Sequence, residues 1–203
     1  MWTLRPSDGR DAFFSGGFFE MNSTVYFGIT ALLVLGWAVL SYNRLVRARN
    51  RKDEGWSGIA VQLKRRHDVV PALAASAKGL AAHERELMES VARARALQSN
   101  ASVKQVSSAE GALTEALGRF IALAENYPEI KANGAFVQLM SELSGLEGEL
   151  QLARRYYNAT VRDYNVMTQS FPSVVIARMA GFSPAEFFEL TSADESKVPE
   201  VKF

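Results

Sequence analysis

The stretch "FVQLMSELSGLEGELQLARRYYNATVRDYNVMTQSF", residues 136–171, decides the fold. Apolar and small side chains recur along it at alternating steps of three and four residues. This 3.5-residue repeat predicts one long helix with a single buried seam. With Asn133 as its N-cap and Pro172 after its end, the helix has about 38 residues and a length of roughly 57 Å. The seam consists of Phe136, Leu139, Leu143, Leu146, Leu150, Ala153, Tyr157, Thr160, Tyr164, Met167 and Phe171.

Such a helix needs an equally long partner, which the segments from Trp56 to Val91 can supply by folding back beside it. Pro71 lies between two sets of apolar residues at helical spacing, so it either starts a second helix or kinks one long helix. The sequence therefore predicts an all-α fold: one N-terminal transmembrane helix followed by an elongated antiparallel bundle of three to four long helices. The two sets are Trp56, Ile59, Leu63 and Val70, then Leu73, Ala77, Leu80, Leu87, Val91 and Ala94.

Two polar stretches predict helix starts. Residues 98–108 read as a loop, and Ser107 with Glu110 has the spacing of a capping box for a helix that continues to Ala124. The sequence "SPAE", residues 183–186, has serine, proline and glutamate at the positions that favour a further helix start. We expect the two phenylalanines that follow, Phe187 and Phe188, to pack against the bundle.

The N-terminal region contains a candidate membrane span. Residues 21–43 carry no charge, and at helical rise they cover roughly 35 Å, against a hydrocarbon core of about 30 Å. Basic residues are concentrated after the span, which predicts a cytoplasmic C-terminal part and a short N-terminus outside. Each basic residue near anionic headgroups contributes about 1 kcal/mol. The predicted headgroup contacts are Arg44, Arg47, Arg49, Arg51 and Lys52.

Two alternatives concern this region. The span could be a cleaved signal peptide, because Gly36 and Ala38 form a small-x-small cleavage pattern, although no basic start precedes it. The irregular leader, residues 1–20, could also lie upstream of the true start codon, since Met21 followed by "NSTVYFGI" begins an ordinary anchor.

Composition excludes several classes of site. The chain has 203 residues, a formal net charge of +1 and no cysteine. It therefore has no disulfide, thiolate metal site or cysteine nucleophile, and it is not a polycation built for nucleic acid. The densest charge cluster, Lys64, Arg65 and Arg66, is interpreted as a basic patch. It is either solvated and paired with Glu84, Glu86 or Glu89, or it binds acidic partners or lipid phosphates.

No motif for catalysis is present in the sequence. His83-Glu84 begins like a metalloprotease signature, but Leu87 stands where the second histidine would be needed. A zinc site from His67, His83 and carboxylates is a minor alternative, because catalytic zinc usually needs three rigidly held protein ligands. The sequence also lacks a glycine-rich phosphate loop and a nucleophile elbow. We therefore predict no enzyme activity and no cofactor.

A short motif occurs twice: Arg155-x-Tyr157-Asn158 recurs seven residues later as Arg162-x-Tyr164-Asn165. The tyrosines fall on the seam, so they point inward, and we expect their hydroxyls to find partners on facing helices. The arginines and asparagines form a second row, extended by Gln151 and Gln169. This row is either solvated or docks onto an acidic helix or partner, for which arginine is well suited. The candidate partner face is Arg155, Asn158, Arg162 and Asn165.

A set of short stretches spread over residues 42–188 forms a recognisable pattern. It consists of "YNRLV" at 42–46, "RN" at 49–50, Trp56, "VQLKRR" at 61–66, Asp68, Pro71, Lys78-Gly79, His83-Glu84, Arg93-Ala94-Arg95, "AENYPEIKAN" at 124–133, "ARRYYNATVRDYN" at 153–165, Phe171-Pro172 and Gly181-Phe182. With these stretches the chain resembles the LemA family of bacterial membrane-anchored proteins. The sequence departs from the family pattern at Ala60, where an acidic residue is common, at Ala72, where asparagine is common, and in the leader.

The resemblance implies a single-pass protein of the bacterial inner membrane with a cytoplasmic helical bundle. The family has no established enzymatic activity, its genes are often neighbours of membrane metalloproteases, and one branch is associated with magnetosome membranes. We expect a non-enzymatic scaffold or adaptor whose partners are membrane lipids, membrane proteins such as a metalloprotease, or a second copy, and not nucleic acid. The alternative is a protein that senses or shapes anionic lipid. The expected organisation is a leader (1–20), a transmembrane helix (21–43), the bundle (44–190) and a polar tail (191–203).

Overall fold

The computed structural model describes residues 23–77, 80–98 and 101–189, so the predictions for the leader (1–20) and the tail (191–203) concern residues outside these ranges. The described part is helical and contains no strand, which confirms the all-α prediction. The chain divides into two compact units between Asn43 and Arg44. The helices are α1 (Ser23–Ser76), α2 (Ala81–Leu97), α3 (Val103–Ala124), α4 (Pro128–Lys131), α5 (Gly134–Gln169) and α6 (Ser173–Met179).

The first unit contains the apolar half of α1. Among the described helices, α1 alone is long and apolar enough to cross a membrane, and none of its most apolar 18-residue window is buried. Large side chains such as Phe27 and Leu32 are exposed. An exposed apolar surface of this size suits a hydrocarbon environment, so α1 is a candidate membrane anchor.

In the second unit, α1 and α5 run antiparallel. A Cβ on Gly55 would lie 3.2 Å from the Cα of Tyr157, so the two backbones approach closely at this level. Further along, Gln62 Nε2 donates to Glu149 Oε2 at 3.3 Å. Near the end of α1, Asn133 Nδ2 donates to the carbonyl oxygen of Ser76 at 3.0 Å. The partner predicted for the long helix is therefore the second half of α1.

Helix α1 continues through Pro71 to Ser76, so of the two alternatives for Pro71 one long helix is confirmed and the start of a second helix is wrong. Proline has no N–H for the carbonyl oxygen four residues earlier, which belongs to His67. In this structure Arg95 Nη2 donates to that oxygen at 3.0 Å. A guanidinium from α2 thus supplies the donor that the proline lacks. The break comes later, between Ser76 and Ala81, inside the apolar set that the sequence assigned to one helix.

Helix α3 begins earlier than predicted. Its N-cap is Ser102, which forms a full capping box with Gln105, so the capping box assigned to Ser107 and Glu110 is wrong. Both of those residues are buried inside the helix. Helices α2, α3 and α4 pack with the end of α1 and the first half of α5 around one apolar cluster, which includes Leu73, Leu87, Leu113, Phe120 and Leu143.

Helix α5 confirms the main prediction, with Asn133 as N-cap accepting from the amide of Ala135 at 3.0 Å. The seam is buried through Tyr157 except at Leu139 and Ala153, which are half-buried. After Tyr157, the buried positions are Val161, Tyr164 and Thr168, and Phe171 is exposed. A straight helix has 3.6 residues per turn, so a 3.5-residue seam drifts by about 20° per heptad. Over the full length of α5 this drift moves the buried face by about one residue.

Residues 182–189, the C-terminal segment, contain no helix, so the predicted helix start at Ser183 is wrong. The segment follows α6 and Gly181, whose φ of 74° is in the left-handed region. The amide of Phe182 donates to the carbonyl oxygen of Ala177 at 2.9 Å, which completes the end of α6. From there the segment runs along α5 in an extended form.

Candidate functional site

Two buried tyrosines of α5 bind the C-terminal segment. Tyr157, which is 2% exposed, donates its hydroxyl to the carbonyl oxygen of Glu186 at 2.9 Å. Tyr164 donates to the carbonyl oxygen of Ser183 at 3.0 Å. The predicted inward orientation of both tyrosines is confirmed. The prediction of partners on facing helices is wrong, because the acceptors are main-chain carbonyls of an extended segment.

The two asparagines of the repeat bind the same segment, each through two hydrogen bonds. Asn158 Nδ2 donates to the carbonyl oxygen of Phe188 at 3.1 Å, and the Phe188 amide donates to Asn158 Oδ1 at 2.9 Å. Asn165 makes the equivalent pair with Ala185, at 2.9 and 2.8 Å. An asparagine side chain offers a donor and an acceptor side by side, so it pairs with a peptide unit as a neighbouring strand would. We call Tyr157, Asn158, Tyr164 and Asn165 the tyrosine-asparagine clamp.

The spacing of the clamp matches the spacing of an extended peptide. Asn165 binds residue 185 and Asn158 binds residue 188, so a step of seven along α5 corresponds to a step of three along the segment. Seven helical residues rise about 10.5 Å, and three extended residues span about 10 Å. Tyr164 and Tyr157 keep the same register, at residues 183 and 186. The repeated motif in the sequence is therefore a periodic binding surface for main chain.

One side chain of the segment anchors it. Phe188 is 0% exposed, whereas its neighbour Phe187 is 39% exposed. The Phe188 ring meets Trp56 of α1 at a centroid distance of 5.9 Å, and the Arg154 guanidinium of α5 lies 5.7 Å from its centroid. Full burial of such a ring contributes roughly 1.5–3 kcal/mol. The clamp thus binds main-chain groups of the segment, and the pocket beside Trp56 and Arg154 binds an aromatic side chain.

Helix α3 completes the groove around the segment. The amide of Lys104, in the first turn of α3, donates to Glu186 Oε2 at 3.2 Å. A carboxylate at this position is also favoured by the helix dipole. The hydroxyl of Ser107 donates to the carbonyl oxygen of Glu189, which explains why Ser107 is buried although it caps no helix. The segment therefore lies in a groove formed by α1, α3 and α5.

The groove keeps its tyrosines protonated. Burial, with help from the carboxylates of Asp53 and Glu186, raises the pKa of Tyr157 to about 12. Burial also raises the pKa of Tyr164, and the charge of Arg49 opposes that change. A neutral hydroxyl can donate and a phenolate cannot, so both tyrosines remain donors throughout the physiological range.

The candidate partner face is divided by the structure. Asn158 and Asn165 are half-buried in the clamp, so the prediction that they belong to a solvent or partner face is wrong. Arg155 and Arg162 are exposed. Within the described part of the chain, neither arginine forms a hydrogen bond or an ion pair. The function of these two residues stays a prediction.

A second polar site is buried between α1, α3 and α5. Arg66, which is 1% exposed, lies 3.4 Å from Glu110 Oε2 and 2.9 Å from Glu147 Oε1, and it donates to the Thr114 hydroxyl at 2.9 Å. His67 Nε2 is 2.7 Å from Glu110 Oε1. Removing one member of such a buried pair costs several kcal/mol, because the other charge is left without a partner. This buried cluster joins three helices.

The cluster corrects the predicted basic patch. Lys64 and Arg65 are exposed, but Arg66 is buried, so the three residues do not share one surface. The predicted acidic partners on α2 are also wrong for Arg66, whose carboxylates come from α3 and α5. Glu86 instead pairs with Arg119 at 2.6 Å. A signal was available: Arg66 follows Leu63 by three residues and precedes Val70 by four, which places it on the core face.

The basic residues after the candidate span differ in their surroundings. Lys52 is half-buried, 2.6 Å from Asp53 Oδ1 and 5.9 Å from the ring centroid of Tyr164. Arg49 lies 3.9 Å from Asp53 Oδ2. The exposed residues Arg44, Arg47 and Arg51 have no ion pair with any described residue. Contact of these three arginines with headgroups stays a prediction.

The zinc alternative concerns His67 and His83. His67 is bound to Glu110 in the buried cluster, and the side chain of His83 lies outside the described residues. Among the described residues, no group of three histidines or carboxylates could hold a metal ion.

Comparison with known proteins places this architecture in a family. The family model described as "LemA family" matches residues 55–203, about three quarters of the chain, including the clamp, the buried cluster and the C-terminal segment. The chain belongs to the LemA family. Within this LemA-family chain, the match begins at Gly55, where α1 meets α5.

Individual relatives agree with this assignment. Magnetosome protein MamQ 1 and MamQ 2 of Paramagnetospirillum magneticum are each 30% identical over 95 residues, 47% of this chain and 35% of theirs. Protein LemA of Metamycoplasma hominis is 29% identical over 135 residues, 66% of this chain and 58% of its own length. The LemA-family chain thus matches about a third of the length of the MamQ proteins.

Proposed function

We propose that this protein is a non-enzymatic, membrane-anchored scaffold or adaptor that presents its helical bundle at the cytoplasmic face of the bacterial inner membrane. The exposed apolar half of α1 supports an anchor, and the basic residues that follow it support this orientation.

One observation carries the adaptor proposal, namely the outer face of α5. Arg155 and Arg162 are exposed there, and the C-terminal segment occupies the clamp asparagines beside them. Leu152 and Val166, which are 61% and 55% exposed, lie on the same side of the helix. Arginine with neighbouring apolar side chains is a common centre of protein interfaces. An acidic helix of a membrane protein is the partner that this surface fits by charge.

The test replaces the two arginines. Crosslinking of the Arg155→Glu, Arg162→Glu double variant in native membranes, with identification by mass spectrometry, should recover the partners of the native chain at about a tenth of their level or less. The matched control is Lys64→Glu, Arg65→Glu, which reverses two exposed basic residues on α1 and should leave recovery unchanged. A membrane metalloprotease is one expected partner. Recovery of only lipid and free chain, or equal recovery by a folded arginine variant, contradicts the adaptor.

A second function, binding of anionic lipid, is supported by the exposed Arg44, Arg47 and Arg51 directly after the span. Residues 44–190 should bind vesicles that contain anionic lipid, and the binding should weaken as salt screens the charges. Replacement of the three arginines by glutamine should remove this binding, whereas Lys64→Gln with Arg65→Gln should preserve most of it. Binding that is absent, or that does not respond to salt, excludes this function.

A further inference from the structure

We propose that the groove formed by α1, α3 and α5 is a peptide-binding site that accepts the C-terminal segment of a second copy of this chain, so that neighbouring copies exchange residues 182–189. Exchange rests on the scaffold proposal, because that proposal confines the copies to one membrane. It adds a partner for the scaffold and the surface that binds this partner.

The contacts of the groove are those of a receptor with an extended peptide. The clamp makes six hydrogen bonds, and in all of them the other group is a main-chain N–H or C=O of the segment. Main-chain pairing supplies affinity for any extended peptide, and side-chain pockets supply specificity. The pocket for Phe188 and the α3 amide that binds the Glu186 carboxylate define the sequence preference.

The preference describes a short motif: a half-buried small residue, an acidic residue, an exposed residue and a buried aromatic residue. Residues 185–188, "AEFF", have this pattern. Apart from the hydrogen bond of the Phe182 amide to Ala177 of α6, the contacts described above join α1, α3 or α5 to the segment, so these could be made equally well to the same residues of another copy. Exchange of an identical element between copies keeps all native contacts and is a low-cost route to association.

The connection to α6 allows the exchange. The covalent connection from α6 to the segment is the turn at Gly181, whose φ is 74°. Glycine adopts many backbone conformations at little cost, so this residue can redirect the segment without strain. Because the contacts are the same in both arrangements, the balance depends on the concentration of neighbouring copies. Confinement to a membrane raises that concentration.

The chain contains no cysteine, so single thiols can report the exchange in full-length protein in membranes. One tagged copy carries Lys104→Cys and a differently tagged copy carries Glu186→Cys. These exposed positions adjoin each other across the groove, since the Lys104 amide binds the Glu186 carboxylate at 3.2 Å. The Lys104→Cys, Glu186→Cys double variant first selects the shortest thiol linker that joins the two sites. That linker is then applied to the mixed copies.

Two controls separate groove binding from simple proximity. The copy with Ser183→Cys places the thiol three residues out of register, about 10 Å away along an extended segment. The second control adds Asn158→Asp and Asn165→Asp to the Lys104→Cys copy, which removes two donors from its groove and leaves the other copy unchanged. Circular dichroism confirms that this copy is still folded.

Exchange predicts a linked heterodimer in the Lys104→Cys and Glu186→Cys mixture, reduced by about tenfold or more in each control. A heterodimer yield no higher than that of the Ser183→Cys control overturns the proposal, and so does a yield that the asparagine substitutions do not lower. The scaffold proposal is tested separately, because recovery of other membrane proteins through Arg155 and Arg162 does not require exchange.

Discussion

Asn165 and Ala185 exchange two hydrogen bonds, one from Asn165 Nδ2 to the Ala185 carbonyl oxygen at 2.9 Å and one from the Ala185 amide to Asn165 Oδ1 at 2.8 Å. Asn158 repeats the arrangement with Phe188. The side chains of one helix thus act as a strand would, at intervals of seven residues. This relationship explains why an extended segment, rather than a helix, follows Gly181.

The clamp asparagines should contribute to stability. Asn158→Ala and Asn165→Ala each leave an amide and a carbonyl of the segment without a partner, which should lower the free energy of unfolding by about 1–3 kcal/mol. Gln151→Ala, one heptad earlier on the exposed side of α5, should change it by no more than about 0.5 kcal/mol. Urea unfolding followed by circular dichroism measures both. Equal changes in the free energy of unfolding at the three positions would show that the asparagines do not stabilise the segment.

The raised pKa of Tyr157 should make stability depend on pH in the alkaline range. Its value is about 12 in the folded chain, against 10.0 for an unperturbed tyrosine. Between these values the unfolded chain loses a proton that the folded chain keeps, so the contribution of Tyr157 is complete below about pH 10 and disappears as pH rises towards 12. Unfolding midpoints from pH 9 to 12 should fall less steeply in Tyr157→Phe than in the native chain. The exposed Tyr156→Phe is the control, and it should retain the native slope.

Arg95 should contribute to stability because residue 71 is a proline, which has no N–H for the His67 carbonyl oxygen. Arg95→Ala leaves the His67 carbonyl without a donor and should cost about 1–2 kcal/mol. In a Pro71→Ala background the helix amide can serve that carbonyl, so the same substitution should cost about 1 kcal/mol less. Asp68→Ala controls for the exposed ion pair that Arg95 also makes at 3.2 Å. A double-mutant cycle with no coupling would show that the guanidinium does not replace the missing N–H.

Two glycines of α1 should respond in opposite directions to alanine. A Cβ on Gly55 would lie 3.2 Å from the Tyr157 Cα and 3.3 Å from Thr160 Oγ1, so Gly55→Ala should force the helices apart and cost about 1–3 kcal/mol. A Cβ on Gly58 meets nothing within 4 Å, so Gly58→Ala should stabilise the helix by up to about 1 kcal/mol. Thermal unfolding separates the two. Equal shifts would place α1 and α5 further apart than described.

Sequence periodicity was sufficient to predict the long helices, because each of them buries a continuous face. The seam from Phe136 to Tyr157, the N-cap at Asn133 and the inward tyrosines were all predictable in this way. The burial of Arg66 was also predictable, since its spacing from Leu63 and Val70 places it on the core face of the helix. Only its charge argued against burial.

Contacts between distant parts of the chain were not predictable from local patterns. The sequence "SPAE" satisfies the local rules for a helix start, but the clamp binds the main-chain groups that a helix would use. The two alternatives for Pro71 stayed open for a related reason, because the donor that lets α1 continue through the proline comes from Arg95 of another helix. In both cases a tertiary hydrogen bond outweighs a local preference, and a single sequence does not show which side chain will make it.

Amide hydrogen exchange in the full-length protein tests the clamp most directly. The amides of Ala185 and Phe188 donate to the asparagines, so both should exchange slowly in the native chain, and in Asn158→Ala with Asn165→Ala their rates should rise to those of an open chain. The buried helical amides of α5 should stay protected in both. Rapid exchange at Ala185 and Phe188 in the native chain would contradict the account, since the repeated motif would then bind no segment.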